Sequence, residues 1–78
     1  MLKNVKNGIG IFGGSFDPPH TGHLKISKIA LKKFKLKKVY WTIKKKNPFK
    51  KKPYFSISQR IMMSKKILKN YKGIKVLY

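Results

Sequence analysis

The sequence predicts an α/β fold with the element order β-α-β-α-β and a parallel sheet. Short apolar or β-branched stretches at residues 8–13, 38–43 and 74–78 predict three strands. Residues 21–35 and the segment that begins at residue 56 carry apolar side chains at helical spacing, with lysines between them. Strands that alternate with helices favour a parallel sheet with right-handed crossovers.

The first predicted strand and helix are joined by a loop rich in glycine and proline. Residues 8–13 form an apolar run bounded by glycine, which is typical of a buried strand, and residues 14–20 form the loop. Thr21 is the candidate N-cap of the helix, because threonine is a preferred capping residue. The strand at 8–13 is expected to be central in a complete sheet, so one of its sides should lack a partner strand here.

The second half of the chain repeats the alternation. Residues 38–43 are β-branched and aromatic, and we interpret their aromatic side chains as sheet packing. Residues 44–55 form a loop with two prolines and two lysine triplets. Ser56 and Gln59 have the spacing of a capping box, which predicts the start of the second helix. Residues 74–78 then form the third strand.

Length and composition restrict the class of protein. The chain has 78 residues and no cysteine, so we expect one domain without disulfides or thiolate metal sites. Its apolar runs are shorter than the ~20 residues that a membrane span needs. The first residues lack the apolar core of a signal peptide, which makes the cytoplasm the expected location.

The charge is strongly positive, with 21 basic residues against one acidic residue and a formal net charge of +20. A nucleic-acid-binding module is one interpretation of this excess. The alternative is compositional drift, because every basic residue except Arg60 is lysine. On that interpretation any contact with nucleic acid is non-specific. Asp17 is the only acidic side chain, which excludes paired-carboxylate catalysis and metal sites built from acidic residues.

Two glycine motifs overlap near the start of the chain. Gly8, Gly10 and Gly13 satisfy G-x-G-x-x-G. A dinucleotide fingerprint needs these glycines after the strand, where the helix opens. Here they lie within the predicted strand, so we reject that interpretation.

The residues that follow predict a phosphate site. Gly13 and Gly14 end the strand with a turn that allows close backbone approach to a ligand. His20 and His23 are three positions apart across the start of the helix, where unpaired N–H groups favour anions. Gly22 keeps that helix end unobstructed. Each residue alone is equally consistent with a turn, a cap or a surface position, but together they predict a phosphate-binding loop.

The string Gly-Gly-Ser-Phe-Asp-Pro-Pro-His-Thr-Gly-His at residues 13–23 resembles the motif of the HxGH nucleotidyltransferase superfamily. Within it, the chain is most similar to the bacterial nicotinate-nucleotide adenylyltransferases, over essentially its whole length. The pantetheine-phosphate adenylyltransferases are the near alternative. They typically have a single glycine before the Thr-Phe-Asp-Pro segment and no histidine at the position of His20.

The resemblance implies a Rossmann-like nucleotidyltransferase half-domain. Residues 1–78 would be a single partial cytidylyltransferase-like domain that lacks the C-terminal half, and alone they are expected to be inactive. The implied reaction, in NAD biosynthesis, joins ATP and nicotinate mononucleotide into deamido-NAD and pyrophosphate, with Mg²⁺.

The resemblance also implies roles for individual residues. The catalytic residues would be His20 and His23. Contacts with the nucleotides and their phosphates would come from Gly13, Gly14, Ser15, Phe16 and Gly22. Lys50 or Lys51 would meet the phosphate of the mononucleotide. Asp17 and Arg60 would hold the loops, and no residue is expected to bind a metal.

Overall fold

The computed structural model describes residues 2–5, 8–45 and 52–77. In chain order the elements are β1 (Leu2–Val5), β2 (Ile9–Gly14), α1 (Thr21–Lys33), β3 (Lys38–Ile43), α2 (Ile57–Ile67) and β4 (Ile74–Leu77). The strands form one sheet in the order β1-β2-β3-β4. β2, β3 and β4 are parallel, which confirms the predicted β-α-β-α-β arrangement.

β1 is not among the predicted strands, and it corrects one expectation. It pairs antiparallel with β2, with Leu2 opposite Phe12 and Val5 opposite Ile9. The expectation that one side of β2 lacks a partner is therefore wrong. Gly8 has a φ of 73°, a left-handed conformation that glycine adopts without steric cost. Four residues of mixed polarity give too little periodicity to predict a strand.

The hydrophobic core lies between the sheet and the two helices. Val39 and Trp41 of β3, Ile74 of β4, Leu68 at the end of α2 and Phe16 are all buried in one cluster. Both crossovers run in the same direction across the sheet, so right-handed connections place both helices on the same face. The complete burial of Trp41 confirms its interpretation as sheet packing.

The helix starts agree with the sequence prediction at α2 and differ at α1. The Ser56 hydroxyl accepts a hydrogen bond from Gln59 N at 3.1 Å, and Gln59 Oε1 accepts one from Ser56 N at 2.9 Å, which confirms the capping box. At α1 the N-cap is His20 rather than Thr21. His20 has the extended backbone of an N-cap, and its ring accepts from the first turn. α1 also ends at Lys33, two residues before the predicted end at 35.

The candidate site lies at the carboxyl ends of the parallel strands. β2 ends at Gly14 and β3 at Ile43, which are directly paired. Lys44 N donates to Gly14 O at 2.9 Å, so the pairing continues into the loop after β3. The loop of residues 15–20 leads from this edge to the start of α1. In open α/β sheets, ligands bind outside the carboxyl ends of the strands.

Candidate phosphate site

The start of α1 is closed by a reciprocal pair of histidine caps. Gly22 N donates to Nδ1 of His20 at 3.0 Å, and His20 N donates to Nδ1 of His23 at 3.0 Å. The two imidazole ring centroids are 4.0 Å apart. Two backbone donors that a helix end leaves without an intrahelical partner are thus satisfied by the side chains predicted to be catalytic.

This capping fixes which ring nitrogen carries the proton. A nitrogen that accepts a hydrogen bond from a backbone N–H has no hydrogen of its own, so in each ring the proton lies on Nε2. A ring that caps the helix in this way keeps an Nε2–H donor that the cap does not use. Two such donors beside the positive end of a helix suit an anion.

The environment of His23 favours its neutral form. Its ring lies 4.6 Å from that of Phe16 and 5.9 Å from that of Trp41, measured between centroids. Burial, and secondly the charge of the neighbouring His20, lower the pKa of His23 from its ordinary value of 6.5. At neutral pH His23 is therefore mainly a neutral hydrogen-bond donor rather than a cation.

A buried hydrogen-bonded chain connects the first turn of α1 to the sheet. The indole Nε1–H of Trp41 donates to Ser27 Oγ at 2.8 Å, and the Ser27 hydroxyl donates to the backbone oxygen of His23 at 2.9 Å. Ser27 is completely buried. Sequence reasoning missed this link, although a serine four residues after His23 on the apolar side of a helix is a recognisable signal.

Gly22 leaves room for the folded-back ring of His20. A Cβ built on Gly22 would lie 2.7 Å from Cε1 and 2.8 Å from Nδ1 of His20. Those contacts are too short, so any side chain here would push the imidazole out of its capping position. The predicted role of Gly22 as an unobstructed helix start thus has a specific steric basis.

The loop after β2 turns through a left-handed residue that is not glycine. Phe16 has a φ of 49°, which is uncommon for a residue with a Cβ atom. Its ring stacks on Trp41, with centroids 4.7 Å apart and planes at 19°, and only 2% of the residue is exposed. A Cβ on Gly14 would lie 3.4 Å from the same ring. Core packing therefore determines the path of the backbone at Ser15 and Phe16.

Asp17 joins this loop to the segment before α2. Its carboxylate accepts hydrogen bonds from Tyr54 N at 2.6 Å and from Phe55 N at 2.8 Å. These bonds use both carboxylate oxygens, which is the geometry that the predicted loop-structuring role requires.

Arg60 lies under the site and is 2% exposed. Its NH1 donates to Ser15 O at 2.9 Å and to Lys44 O at 2.7 Å, and its NH2 donates to Lys45 O at 3.0 Å. Its Nε also donates to the backbone oxygens just before α2. One guanidinium therefore contacts the loops after β2 and β3 and the start of α2.

Two of the predicted site residues, Lys50 and Lys51, lie outside the described residues. Among residues 2–5, 8–45 and 52–77, no three histidine, cysteine, aspartate or glutamate side chains come together as metal ligands would. No helix in these segments is both long enough and apolar enough to cross a membrane.

The fold and the histidine loop define the class of protein. Residues 11–77 match the sequence profile of the cytidylyltransferase-like family. This match covers β2 from Ile11 onward, α1, β3, α2 and β4, together with the loop that bears the two histidines. The chain belongs to the cytidylyltransferase-like family.

Within this family the chain is similar to proteins named probable nicotinate-nucleotide adenylyltransferase, which confirms the resemblance found in the sequence. It is 47% identical to one from Pelagibacter ubique over 77 residues, which is 99% of this chain and 43% of the relative. It is 45% identical to one from Ruegeria sp. over 60 residues, 77% of this chain and 32% of the relative. The match in Rhizobium meliloti is 40% over 63 residues, 80% of this chain and 34% of the relative. The chain spans less than half the length of these relatives.

Proposed function

We propose that this chain supplies the ATP-phosphate half of a nicotinate-nucleotide adenylyltransferase. The complete reaction joins ATP and nicotinate mononucleotide into deamido-NAD and releases pyrophosphate, in NAD biosynthesis. The observation that carries the proposal is the histidine pair at the start of α1. Each ring uses Nδ1 to cap the helix and keeps an Nε2–H donor for a ligand.

The chemistry needs positioning and charge stabilisation rather than a protein nucleophile. A phosphate oxygen of the mononucleotide attacks the α-phosphorus of ATP, the bond from that phosphorus to the bridging oxygen breaks, and pyrophosphate leaves with the electron pair. His20 and His23 would donate hydrogen bonds to ATP phosphate oxygens and stabilise the charge that develops on pyrophosphate. The N-terminus of α1 adds partial positive charge.

The remaining predicted residues would place the second substrate. The backbone from Gly14 to Phe16 would seat the nucleotides, with Ser15 near the phosphate of the mononucleotide. Lys50 or Lys51 would approach the same phosphate. An in-line displacement requires the attacking oxygen to lie opposite the leaving pyrophosphate, across the α-phosphorus.

Mg²⁺ is expected to arrive as part of the substrate, bound to ATP. Magnesium prefers carboxylate, phosphate and water oxygens. The only acidic side chain, Asp17, already accepts two backbone N–H groups. The phosphate oxygens of ATP would therefore hold the ion, and its charge would offset theirs during transfer.

The experiment is a fusion of residues 1–77 of this chain to the remainder of the Pelagibacter relative, supplied with ATP and Mg²⁺. Nicotinate mononucleotide and phosphopantetheine are offered as alternative acceptors, and products are separated by chromatography. We expect deamido-NAD and no dephospho-coenzyme A. A folded fusion that binds ATP and yields only the coenzyme product, or none, would contradict the proposal.

The chain by itself is the matched comparison for that fusion. It provides only one wall of the site, so a bound nucleotide would stay open to water and the two phosphates would not be aligned. We expect ATP binding without measurable dinucleotide formation. Turnover within tenfold of the fusion would show that the half-site interpretation is wrong.

A further inference from the structure

We infer that Arg60 is a positioning residue that directs the backbone N–H groups of Phe16 and Lys45 toward a bound phosphate. This inference rests on the proposed function, because it assigns part of the same phosphate site. Arg60 itself is buried and does not touch the substrate. It acts through the carbonyl groups that it holds.

The first step is the direction of the peptide groups. Among the described residues the one cis peptide bond is Asp17–Pro18, so the Ser15–Phe16 and Lys44–Lys45 bonds are trans. In a trans peptide the C=O and the N–H point in opposite directions. Arg60 NH1 binds the carbonyl oxygens of Ser15 and Lys44. The N–H groups of Phe16 and Lys45 must therefore point away from the buried guanidinium.

The second step is that these two N–H groups have no acceptor within the described residues. Within the described residues neither Phe16 N nor Lys45 N donates a hydrogen bond to the protein. They come from loops that leave the paired carboxyl ends of β2 and β3. Backbone donors at this edge of an α/β sheet commonly bind phosphate.

The third step concerns charge. A buried cation is normally paired with an anion. Arg60 makes five hydrogen bonds, all of them to neutral carbonyl oxygens. Asp17, the only acidic side chain, uses its oxygens for Tyr54 and Phe55 instead. A phosphate above these loops would supply the missing negative charge.

The fourth step is the choice of residue. Arg60 is the only arginine among 21 basic residues. Lysine is a point charge with three rotatable donors, whereas arginine has a rigid planar fork with five N–H groups. Only the fork can hold carbonyls of three separate segments at once. An otherwise lysine-rich chain has its arginine at the position that needs this geometry.

The test uses the ¹⁵N-labelled 78-residue chain and two probes, sodium tripolyphosphate and ATP with Mg²⁺. NMR follows the backbone amides and the histidine rings, and calorimetry gives the affinity. In the parent chain we expect saturable shifts of the Phe16 and Lys45 amides together with the histidine rings. In R60K, which keeps the charge and loses the fork, we expect affinity to fall by about tenfold, the effect of losing one charge-assisted hydrogen bond.

The controls separate this role from fold stability and from net charge. K66Q removes an exposed charge from α2 and should change the affinity by less than about twofold. Equal losses in K66Q and R60K, or a folded R60K with parental affinity and parental amide shifts, would overturn the inference. If R60K does not fold, the spectra of the parent chain provide the test. Shifts of the histidine rings without shifts of the Phe16 and Lys45 amides would also overturn the inference. Failure of the proposed function is distinguishable, because then the histidine rings would not respond either.

Discussion

The two helices in the described part of the chain begin in the same way with different residues. At α2, Ser56 and Gln59 cap each other's backbone N–H groups at 2.9 and 3.1 Å. At α1, the His23 ring accepts a hydrogen bond from His20 N and the His20 ring accepts one from Gly22 N, both at 3.0 Å. Serine and glutamine are ordinary choices for this motif, whereas histidine is not among the preferred N-cap residues.

The difference supports the proposed second role of the α1 cap, which is to bind a ligand. The α2 box is explained by helix stability alone, and its donors and acceptors do not titrate near neutral pH. An imidazole has two distinct nitrogens, so capping with Nδ1 leaves Nε2–H for a ligand. The cap also depends on pH, because a protonated Nδ1 cannot accept a hydrogen bond. The two helix starts can therefore be compared experimentally, one position at a time.

The largest difference is expected when each cap is removed in the fusion protein. His23→Ala should lower kcat/KM by about 10²–10³, the size of losing one transition-state donor, and His20→Ala somewhat less. Ser56→Ala should cost about 1 kcal/mol of stability and less than tenfold in kcat/KM. Steady-state pyrophosphate release measures the rates. If kcat/KM of both histidine variants stayed within about twofold of the parent value, the α1 cap would have no role beyond helix stability.

The second helical position gives a subtler comparison. In the 78-residue chain, Gly22→Ala should weaken ATP binding by about tenfold, since its Cβ would displace the His20 ring and its Nε2–H. Ser58→Ala is the matched change in α2, where the residue is exposed. It should leave ATP affinity unchanged, as measured by calorimetry. Equal affinities in the two variants would mean that the position of the His20 ring is irrelevant to binding.

The smallest expected effect is on stability as the pH changes. Because the pKa of His23 is lowered in the folded state, the folded chain binds fewer protons than the unfolded chain as the pH falls. The contribution of His23 is complete above about pH 6.5 and is lost as the pH falls through the lowered pKa. The Tm should therefore be lower at pH 5 than at pH 7.5.

His23→Gln is the control for that pH dependence, because it gives α1 the glutamine that α2 uses. Its amide oxygen can accept from His20 N but does not titrate. Calorimetric scans of this variant should show a flatter dependence of Tm on pH. A parental slope in the variant, or a Tm that rises on acidification, would mean that the cap does not respond to protonation.

The sequence predicted most elements because each carries its own local pattern. The three parallel strands were apolar or β-branched, and Ser56 and Gln59 had a recognisable capping spacing. At α1 the same spacing is present in His20 and His23, but Thr21 is the stronger capping residue by type. The choice of His20 depends on how the preceding loop enters the helix, which the identity of the residues does not reveal.

Long-range features of the site were less predictable. The sequence identified Arg60 as a candidate loop anchor, but its carbonyl partners at Ser15, Lys44 and Lys45 are separated from it by 15 to 45 positions. The Ser27–Trp41 bond joins a helix to a strand. β1 depends on pairing with β2 rather than on its own pattern. Such contacts follow from the packed fold and not from local propensity.

The most direct measurement of the central claim is the tautomer of the two histidine rings. The chain contains only His20 and His23, so long-range ¹H–¹⁵N spectra of their rings at pH 7.5 are simple to assign. We predict the Nε2–H tautomer for both rings, since both Nδ1 atoms accept backbone hydrogen bonds. On addition of ATP with Mg²⁺, the Nε2 signals should shift while the Nδ1 signals keep their hydrogen-bonded positions. A predominant Nδ1–H tautomer in either ring, or Nε2 signals that ignore ATP, would contradict the account.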